Sequence, residues 1–229
     1  MRIPLHLAVI PDGNRRWARA RGLPTLEGHR RGFNALSKVA EKARELGVKI
    51  FTVWAFSTDN WQRSKKEVSY LMHIYEEFID KNLKTALKDK IKIVHIGRKD
   101  RIPKTLQKKL NDAQEKTASF TKHYFVLALD YGGRDELLRA IQKIRNPKSE
   151  IRNLAEESFG RLLDTKDLPQ PEPDLIVRTS GEHRLSGFML WQSAYSELYF
   201  EEKKLPDVTE KDLIKWIGEY NRRKRRFGK

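Results

Sequence analysis

Short, unbroken apolar runs alternate along the chain with longer stretches in which apolar residues recur every three or four positions. The runs are Leu5–Ile10, Ile50–Phe56, Ile91–Ile96, Tyr124–Leu129, Leu175–Val177 and Leu198–Phe200. They are rich in β-branched or aromatic residues and bounded by Gly, Pro or Asp, as expected of buried strands. Between the first two, Phe33, Leu36, Val39, Ala40, Ala43 and Leu46 fall on one helical face, closed by Gly47. Before the third, Val68, Leu71, Met72, Tyr75, Phe78, Ile79, Leu83 and Leu87 make a longer stripe. Further helices are predicted over Lys104–Ala118, Asp135–Arg145, Ile151–Leu163 and Glu210–Arg222. This alternation predicts an α/β fold with a mostly parallel central sheet of about six strands flanked by helices. No repeat or low-complexity linker divides the chain, and Pro169–Pro173 reads as a loop, so residues 1–229 are expected to form a single domain.

Charge narrows the class of partner. Lys and Arg number 47 against 31 Asp and Glu, a formal net charge of +16. Such an excess points to anions: phosphorylated substrates, nucleic acid or anionic lipid headgroups. There is no cysteine, hence no disulfide framework or thiolate metal site, in keeping with a reducing compartment. No run approaches the roughly 18 apolar residues of a membrane span, and no signal-peptide pattern opens the chain. A soluble, cytoplasmic protein is the expectation.

In open parallel sheets ligands bind beyond the carboxyl ends of the strands, and the unusual residues fall there. After the first run comes Pro11-Asp12-Gly13-Asn14-Arg15-Arg16-Trp17. Gly13 permits a tight turn into a helix whose free N–H groups, with Arg15 and Arg16, suit a diphosphate. Asp12 would repel phosphate unless a cation such as Mg²⁺ lay between them. The same residues equally suit an Asx-type cap with solvated arginines. Phe56 to Arg63 follows the second run and mixes Ser57, Thr58, Asp59, Asn60 and Arg63 with Trp61. A phosphate-bearing apolar ligand needs that mixture, although a capping loop with buried aromatics would contain it too. Asp130-Tyr131-Gly132-Gly133-Arg134 is read as turn chemistry. The fifth run ends in Arg178-Thr179-Ser180-Gly181-Glu182-His183-Arg184-Leu185-Ser186, a second anion-site pattern. His183 alone reads as a hydrogen-bonded structural histidine. Glu197 lies within an apolar run and should meet a cation. No G-x-x-x-x-G-K-[ST], G-x-G-x-x-G or D-D-x-x-D is present, which argues against nucleotide enzymes and all-helical prenyltransferases.

Taken together, the blocks His6 to Trp17, Gly28-His29-Arg30-Arg31-Gly32, Ala55 to Arg63, Tyr131 to Arg134 and Asp174 to Phe200 resemble the cis-prenyltransferase family, over about His6 to Gly228. That family includes undecaprenyl and dehydrodolichyl diphosphate synthases. The resemblance implies a Mg²⁺-dependent enzyme that condenses isopentenyl diphosphate with an allylic diphosphate of C10 to C20. Asp12 then matches the catalytic, metal-binding aspartate. Gly13, Asn14, Arg15, Arg16, Trp17 and His29 match the allylic diphosphate site. Ser57, Thr58, Asp59, Asn60, Trp61 and Arg63 match the second block, with Asn60 removing a proton or positioning the isopentenyl group. Arg178, Arg184, Leu185 and Ser186 match the isopentenyl diphosphate clamp, Glu197 a second metal carboxylate, and His183 a further candidate. Arg226-Phe227-Gly228 resembles an R-x-G element that reaches a partner subunit, which implies a homodimer. Thr25, Pro11, Asp130 and Gly187 depart from residues common in bacterial members.

The resemblance also implies an apolar tunnel, lined by the Val68–Leu87 stripe with small Ala55 at its wall. Without the resemblance, that stripe reads as ordinary core. Against this stand a basic nucleic-acid-binding protein, prompted by +16 and by Arg222-Arg223-Lys224-Arg225-Arg226, and an inactive accessory subunit. No nucleic-acid-binding motif accompanies the charge, so no nucleic-acid partner is expected, and peripheral contact with an anionic membrane explains it as well. Intact Asp12, Asn60, Arg178 and Arg184 oppose an inactive subunit.

Overall fold

The computed structural model describes residues 2–145 and 154–223. The start of the helix expected from Ile151, the Arg226-Phe227-Gly228 element and most of the basic tail lie outside the described residues.

All six apolar runs are strands: β1 (His6–Ile10), β2 (Ile50–Ser57), β3 (Ile91–Ile96), β4 (His123–Tyr131), β5 (Leu175–Thr179) and β6 (Glu197–Glu201). They form one sheet in the order β3-β4-β2-β1-β5-β6, with every neighbouring pair parallel. The helices are α1 (Asn14–Arg19), α2 (Thr25–Glu45), α3 (Lys65–Lys88), α4 (Lys104–Lys116), α5 (Gly133–Ile144), α6 (Glu156–Gly160) and α7 (Glu210–Arg222).

Alternate residues of each strand feed different layers, as the two-residue period of a strand requires. Leu7 and Val9 of β1 with Val53 and Val177 pack under Leu36 and Val39 of α2 and under Leu213, Trp216 and Ile217 of α7. Further along the same face, Ile93, Leu127 and Leu129 meet Leu71, Met72 and Tyr75 of α3 and Leu106 and Leu110 of α4. Ala8, Ile10, Val126 and Ala128 point the other way, onto Leu168, Phe188 and Met189, so much of that layer is turn rather than helix. There α5 and α6 meet Trp191 through Ala140 and Phe159.

Two expected helices change. The periodicity starts α2 at Phe33, yet the helix begins at Thr25, because its first two turns carry glycines that read as breakers. Both are close-approach points: a Cβ on Gly28 would stand 2.1 Å from the carbonyl oxygen of Asn14, and one on Gly32 2.2 Å from Asn14 Oδ1. The helix expected to reach Leu163 is confined in the described residues to Glu156–Gly160, and turns follow it.

The strand order sets the location of the site. From β1 the chain crosses to β2 on one side, while β5 flanks β1 on the other. Such a reversal opens a crevice beyond the carboxyl ends of the two strands. Asp12 leaves β1 into that crevice, and Ser180 to Ser186 leave β5 into it.

Candidate active site

The first loop is shaped by Gly13, which has φ +98° and stands immediately before α1. No L-residue adopts that conformation readily, and a Cβ there would lie 2.7 Å from Ser180 Oγ. The turn brings the Gly13 N–H to Asp12 Oδ1 at 2.6 Å. Asp12 is then locked to β5: its N–H donates to Thr179 Oγ1 at 2.8 Å, and the Thr179 hydroxyl donates back to the Asp12 carbonyl at 2.7 Å.

Arg178 at the end of β5 completes the pairing. It is 6 % exposed, so its cation needs partners on every side. Nη2 donates to Asp12 Oδ2 at 2.9 Å, and Nη1 donates to the Arg184 carbonyl at 2.6 Å and to Ser186 Oγ at 2.7 Å. Ser180 and Ser186 both have positive φ, at +82° and +51°. Such backbone in non-glycine residues is characteristic of segments held by their surroundings at functional sites. The two loops are also tied by Glu182, which accepts from Arg16 at 2.6 Å and from Arg184 at 2.5 Å. Those two arginines, Arg184 foremost, hold its carboxyl below the ordinary range. Glu182 lay unread within the second anion motif, and only the approach of α1 gives it two cations to join.

A third group was also invisible as part of the site. Glu67, in the first turn of α3, accepts from Arg63 at 3.1 Å and from His29 Nε2 at 3.3 Å, and lies 3.8 Å from Arg15. It thereby links candidates from three separate segments. Ser64-x-x-Glu67 is a cap signature, and Arg63 and Glu67 are at i,i+4, so the local signal existed. His29 is buried, and burial pushes its pKa down despite Glu67. The neutral ring accepts from Asn14 Nδ2 at Nδ1, 3.5 Å away, and donates from Nε2 to Glu67.

Part of this network rims a cavity of about 290 Å³, while Arg15, Arg16, Glu67, Glu182 and Arg184 stand behind its lining. Asp12, Asn14, His29, Ser57, Asp59, Asn60, Arg63, Arg178 and Ser186 line its polar mouth, while Phe33, Leu36, Val53, Ala55, Leu71 and Tyr75 line its apolar depth. A polar rim over a greasy wall suits a molecule with an anionic head and a hydrocarbon tail. Asn60 closes a capping box on the Thr58–Gln62 turn, its Oδ1 accepting from Ser57 N at 3.1 Å, which fixes its amide at the rim.

Several expected residues serve the walls instead. Trp17 is 5 % exposed, donates to Asp207 Oδ1 at 2.6 Å and lies beneath the Arg21 guanidinium. Trp61 donates to the fully buried Asp130, which also pairs with Arg101. Thr58 packs on Gly132, and Leu185 on the layer of Phe188. Gly132 and Gly133 act as the turn chemistry expected of them, Gly133 donating to the Gly187 carbonyl at 2.8 Å. His183 stacks on Phe200 at 4.8 Å, with Nε2 3.8 Å from Glu202.

The structure places Glu197 apart from Asp12. Proposed as a second carboxylate for the metal of Asp12, it stands at the amino end of β6, in register with Leu175 at the start of β5. Asp12 follows the other end of the sheet, so the two carboxylates of one chain do not converge. Glu197 does meet a cation, as burial in an apolar run demands: Arg223 Nη1, at 2.9 Å.

Among the described residues no group of three His, Cys, Asp or Glu side chains could cage a metal. Magnesium needs no such group, being commonly held by one or two carboxylates together with substrate phosphates. Asp12 would be the protein ligand. Beside it the buried Asn14 Oδ1, Arg178 Nε and Ser180 Oγ have no partner among the described residues. A buried donor and acceptors left open in this way suit a diphosphate oxygen and a hydrated ion.

Known proteins resemble the chain over nearly its whole length. The chain is 45 % identical over 230 residues to the isoprenyl transferase of Thermotoga maritima, covering 100 % of this chain and 98 % of the relative. It is 43 % identical to that of Aquifex pyrophilus, covering 100 % and 97 %. In structure it resembles lavandulyl diphosphate synthase from Lavandula x intermedia, solved with dimethylallyl diphosphate, at TM-score 0.95, 38 % identity and coverage of 99 % and 98 %. It also resembles a probable undecaprenyl diphosphate synthase from Campylobacter jejuni, at TM-score 0.81, 31 % identity and full coverage of both chains. The family model described as "Putative undecaprenyl diphosphate synthase" matches residues 10–228. With its crevice between β1 and β5, its guanidinium-faced aspartate and these relatives, the chain belongs to the undecaprenyl diphosphate synthase family of prenyltransferases.

Proposed function

We propose that this chain is a magnesium-dependent cis-prenyltransferase that lengthens an allylic diphosphate of C10 to C20 with isopentenyl diphosphate. The observation that carries this reading is the Asp12–Arg178 pair, 2.9 Å apart across the β1/β5 crevice, at the mouth of a cavity whose depth is apolar.

The allylic diphosphate lies over the Gly13 turn, with Asn14 and Arg16 beside it and its hydrocarbon against Phe33, Leu36 and Val53. Isopentenyl diphosphate sits against Arg178, Ser186 and Arg184. The diphosphate leaves the allylic C1 with the bonding electron pair, the isopentenyl double bond attacks C1, and a proton leaves the isopentenyl unit to set a Z double bond. A magnesium ion held by Asp12 would supply charge neutralisation at the departing diphosphate. Fixing both reactants along one crevice removes much of the entropic barrier. Asn60, its amide held at the rim by Ser57, positions the isopentenyl group or takes its proton.

Assembly as a homodimer is supported by an apolar face on α5, where Leu138 is 61 % and Ile141 45 % exposed. Leu190, which packs on Gly133 at the start of that helix, extends the face. The cytoplasmic surface of an anionic membrane, reached peripherally, fits the net charge; no helix among the described residues is long and apolar enough to cross one.

The decisive assay incubates the purified protein with labelled isopentenyl diphosphate and separate C10, C15 and C20 starters, with Mg²⁺ or with a chelator. Extractable labelled polyprenyl diphosphate is expected only with the metal. No incorporation from any starter overturns the reading, and incorporation undiminished by chelation overturns the role of the metal.

A further inference from the structure

The turn that presents Asn60 at the mouth of the cavity rests on an irregularity of the sheet. Between β2 and β4 the pairing passes from Phe56 opposite Leu129 to Ser57 opposite Tyr131, so Asp130 faces no residue of β2. It forms a bulge, with φ +51°. Bulges beside active sites re-aim a side chain out of the ladder, and positive φ in a non-glycine residue must be held by its surroundings. Here the Asp130 carbonyl accepts from the Arg98 N–H at 3.0 Å, and its carboxylate turns toward Trp61.

That carboxylate is fully buried and has two kinds of partner. Trp61 Nε1 donates to Oδ1 at 2.8 Å. Arg101, from the segment between β3 and α4, donates from Nε to Oδ2 at 2.8 Å and from Nη2 to Oδ1. An indole N–H by itself does not offset a buried charge, so the guanidinium is what lets the carboxylate stay there. The arginine side chain is 40 % exposed and keeps part of its hydration. The Trp61 ring is also held by an edge-to-face contact with the buried Phe56 at 5.1 Å. Trp61 follows Asn60 directly in the Thr58–Gln62 turn, and Thr58 packs on Gly132, just past the bulge. None of Trp61, Asp130 and Arg101 lines the mouth cavity.

We propose that Asp130 and Arg101 are positioning residues for the condensation: their ion pair holds the Trp61 indole, and Trp61 orients the turn that carries Asn60. The proposal rests on the prenyltransferase reading and adds to it two residues that act through a third. Because only the carboxylate is fully buried, the partners are not equivalent. Asp130→Asn leaves an amide oxygen that still accepts from Trp61, and an arginine that water can solvate. Arg101→Leu strands a buried anion, which is expected to leave the indole for water.

The test measures kcat and both KM values at a temperature where melting shows each variant folded. The variants are Arg101→Leu, Asp130→Asn, the two combined, and Trp61→Phe with and without Arg101→Leu. Arg101→Leu is expected to lower kcat about 10- to 100-fold, the scale of a displaced reacting group, with KM for the allylic starter within about threefold of wild type. Asp130→Asn alone should stay within about threefold of wild type, and added to Arg101→Leu it should restore kcat to that level. In Trp61→Phe, adding Arg101→Leu should change kcat by less than about threefold, because the indole through which it acts is gone. With fluorotryptophan incorporated, the Trp61 fluorine resonance, assigned by its loss in Trp61→Phe, should move in Arg101→Leu and return in the combined variant. Arg101→Lys keeps the charge and loses the fork, and it carries the same comparisons with a smaller loss if Arg101→Leu does not fold. A kcat within about threefold of wild type in Arg101→Leu, or an equal loss with and without Trp61, overturns the positioning role and leaves the pair structural. A wild type that incorporates no label overturns the prenyltransferase reading and the positioning role with it.

Discussion

Replacing Arg178 with lysine keeps the charge and removes the geometry. The guanidinium reaches in two directions: Nη2 to Asp12, and Nη1 to the Arg184 carbonyl and Ser186 Oγ, at 2.6 to 2.9 Å. A lysine ammonium is a single point and cannot serve both directions from the same buried position. With the nitrogen beside Asp12, the two bonds that gather the β5 loop are lost. Bonds to a charged group are worth about 1.5–3 kcal/mol each, so two amount to about 3–6 kcal/mol. Part of that falls on the fold, because the loop is held at positive φ through these bonds. If only the lower figure reaches the transition state, kcat/KM for isopentenyl diphosphate falls about 100-fold. Steady-state incorporation at saturating starter, alongside thermal melting, separates the two parts. A variant that melts early yet keeps kcat/KM within about threefold of wild type refutes the clamp and leaves Arg178 a structural residue.

Asp12→Ala is expected to lower turnover by about 1,000-fold or more while the fold persists, since Thr179 and Leu205 are held by the Asp12 backbone carbonyl; near-normal rates would remove Asp12 from the mechanism. Ala55→Leu, which narrows the wall of the mouth cavity beside Tyr75, should shorten products, and an identical product ladder refutes it. His6 is fully buried between Thr52 and the Gln170 carbonyl, and burial pushes its pKa down from 6.5 to about 4. Between those values the unfolded chain binds the proton and the folded chain does not, so stability from this group is complete above pH 6.5. It is lost as pH falls toward 4, by about 3 kcal/mol at most. Denaturant midpoints of the wild type should therefore decline over that window more steeply than those of His6→Gln, and parallel curves would exclude His6 as the cause.

Strand identity was legible because β1, β2, β4 and β5 are buried on both faces and so read as unbroken apolar runs. The two clusters with loop chemistry, Asp12 to Trp17 and Arg178 to Ser186, stood out because polar residues and glycine interrupt apolar runs at strand ends. Their meeting was a matter of topology: β1 and β5 are adjacent though about 165 residues apart, and nothing local encodes that neighbourhood. The same limit explains Glu182 and Glu67, each ordinary in its own segment and a junction only once α1, α2 and α3 approach.

Glu197 marks the boundary between the two kinds of information. That a carboxylate in an apolar run must find a cation follows from solvation alone, and Arg223 bears it out. Which cation, and at which end of the sheet, depends on the parallel register that puts Glu197 beside Leu175.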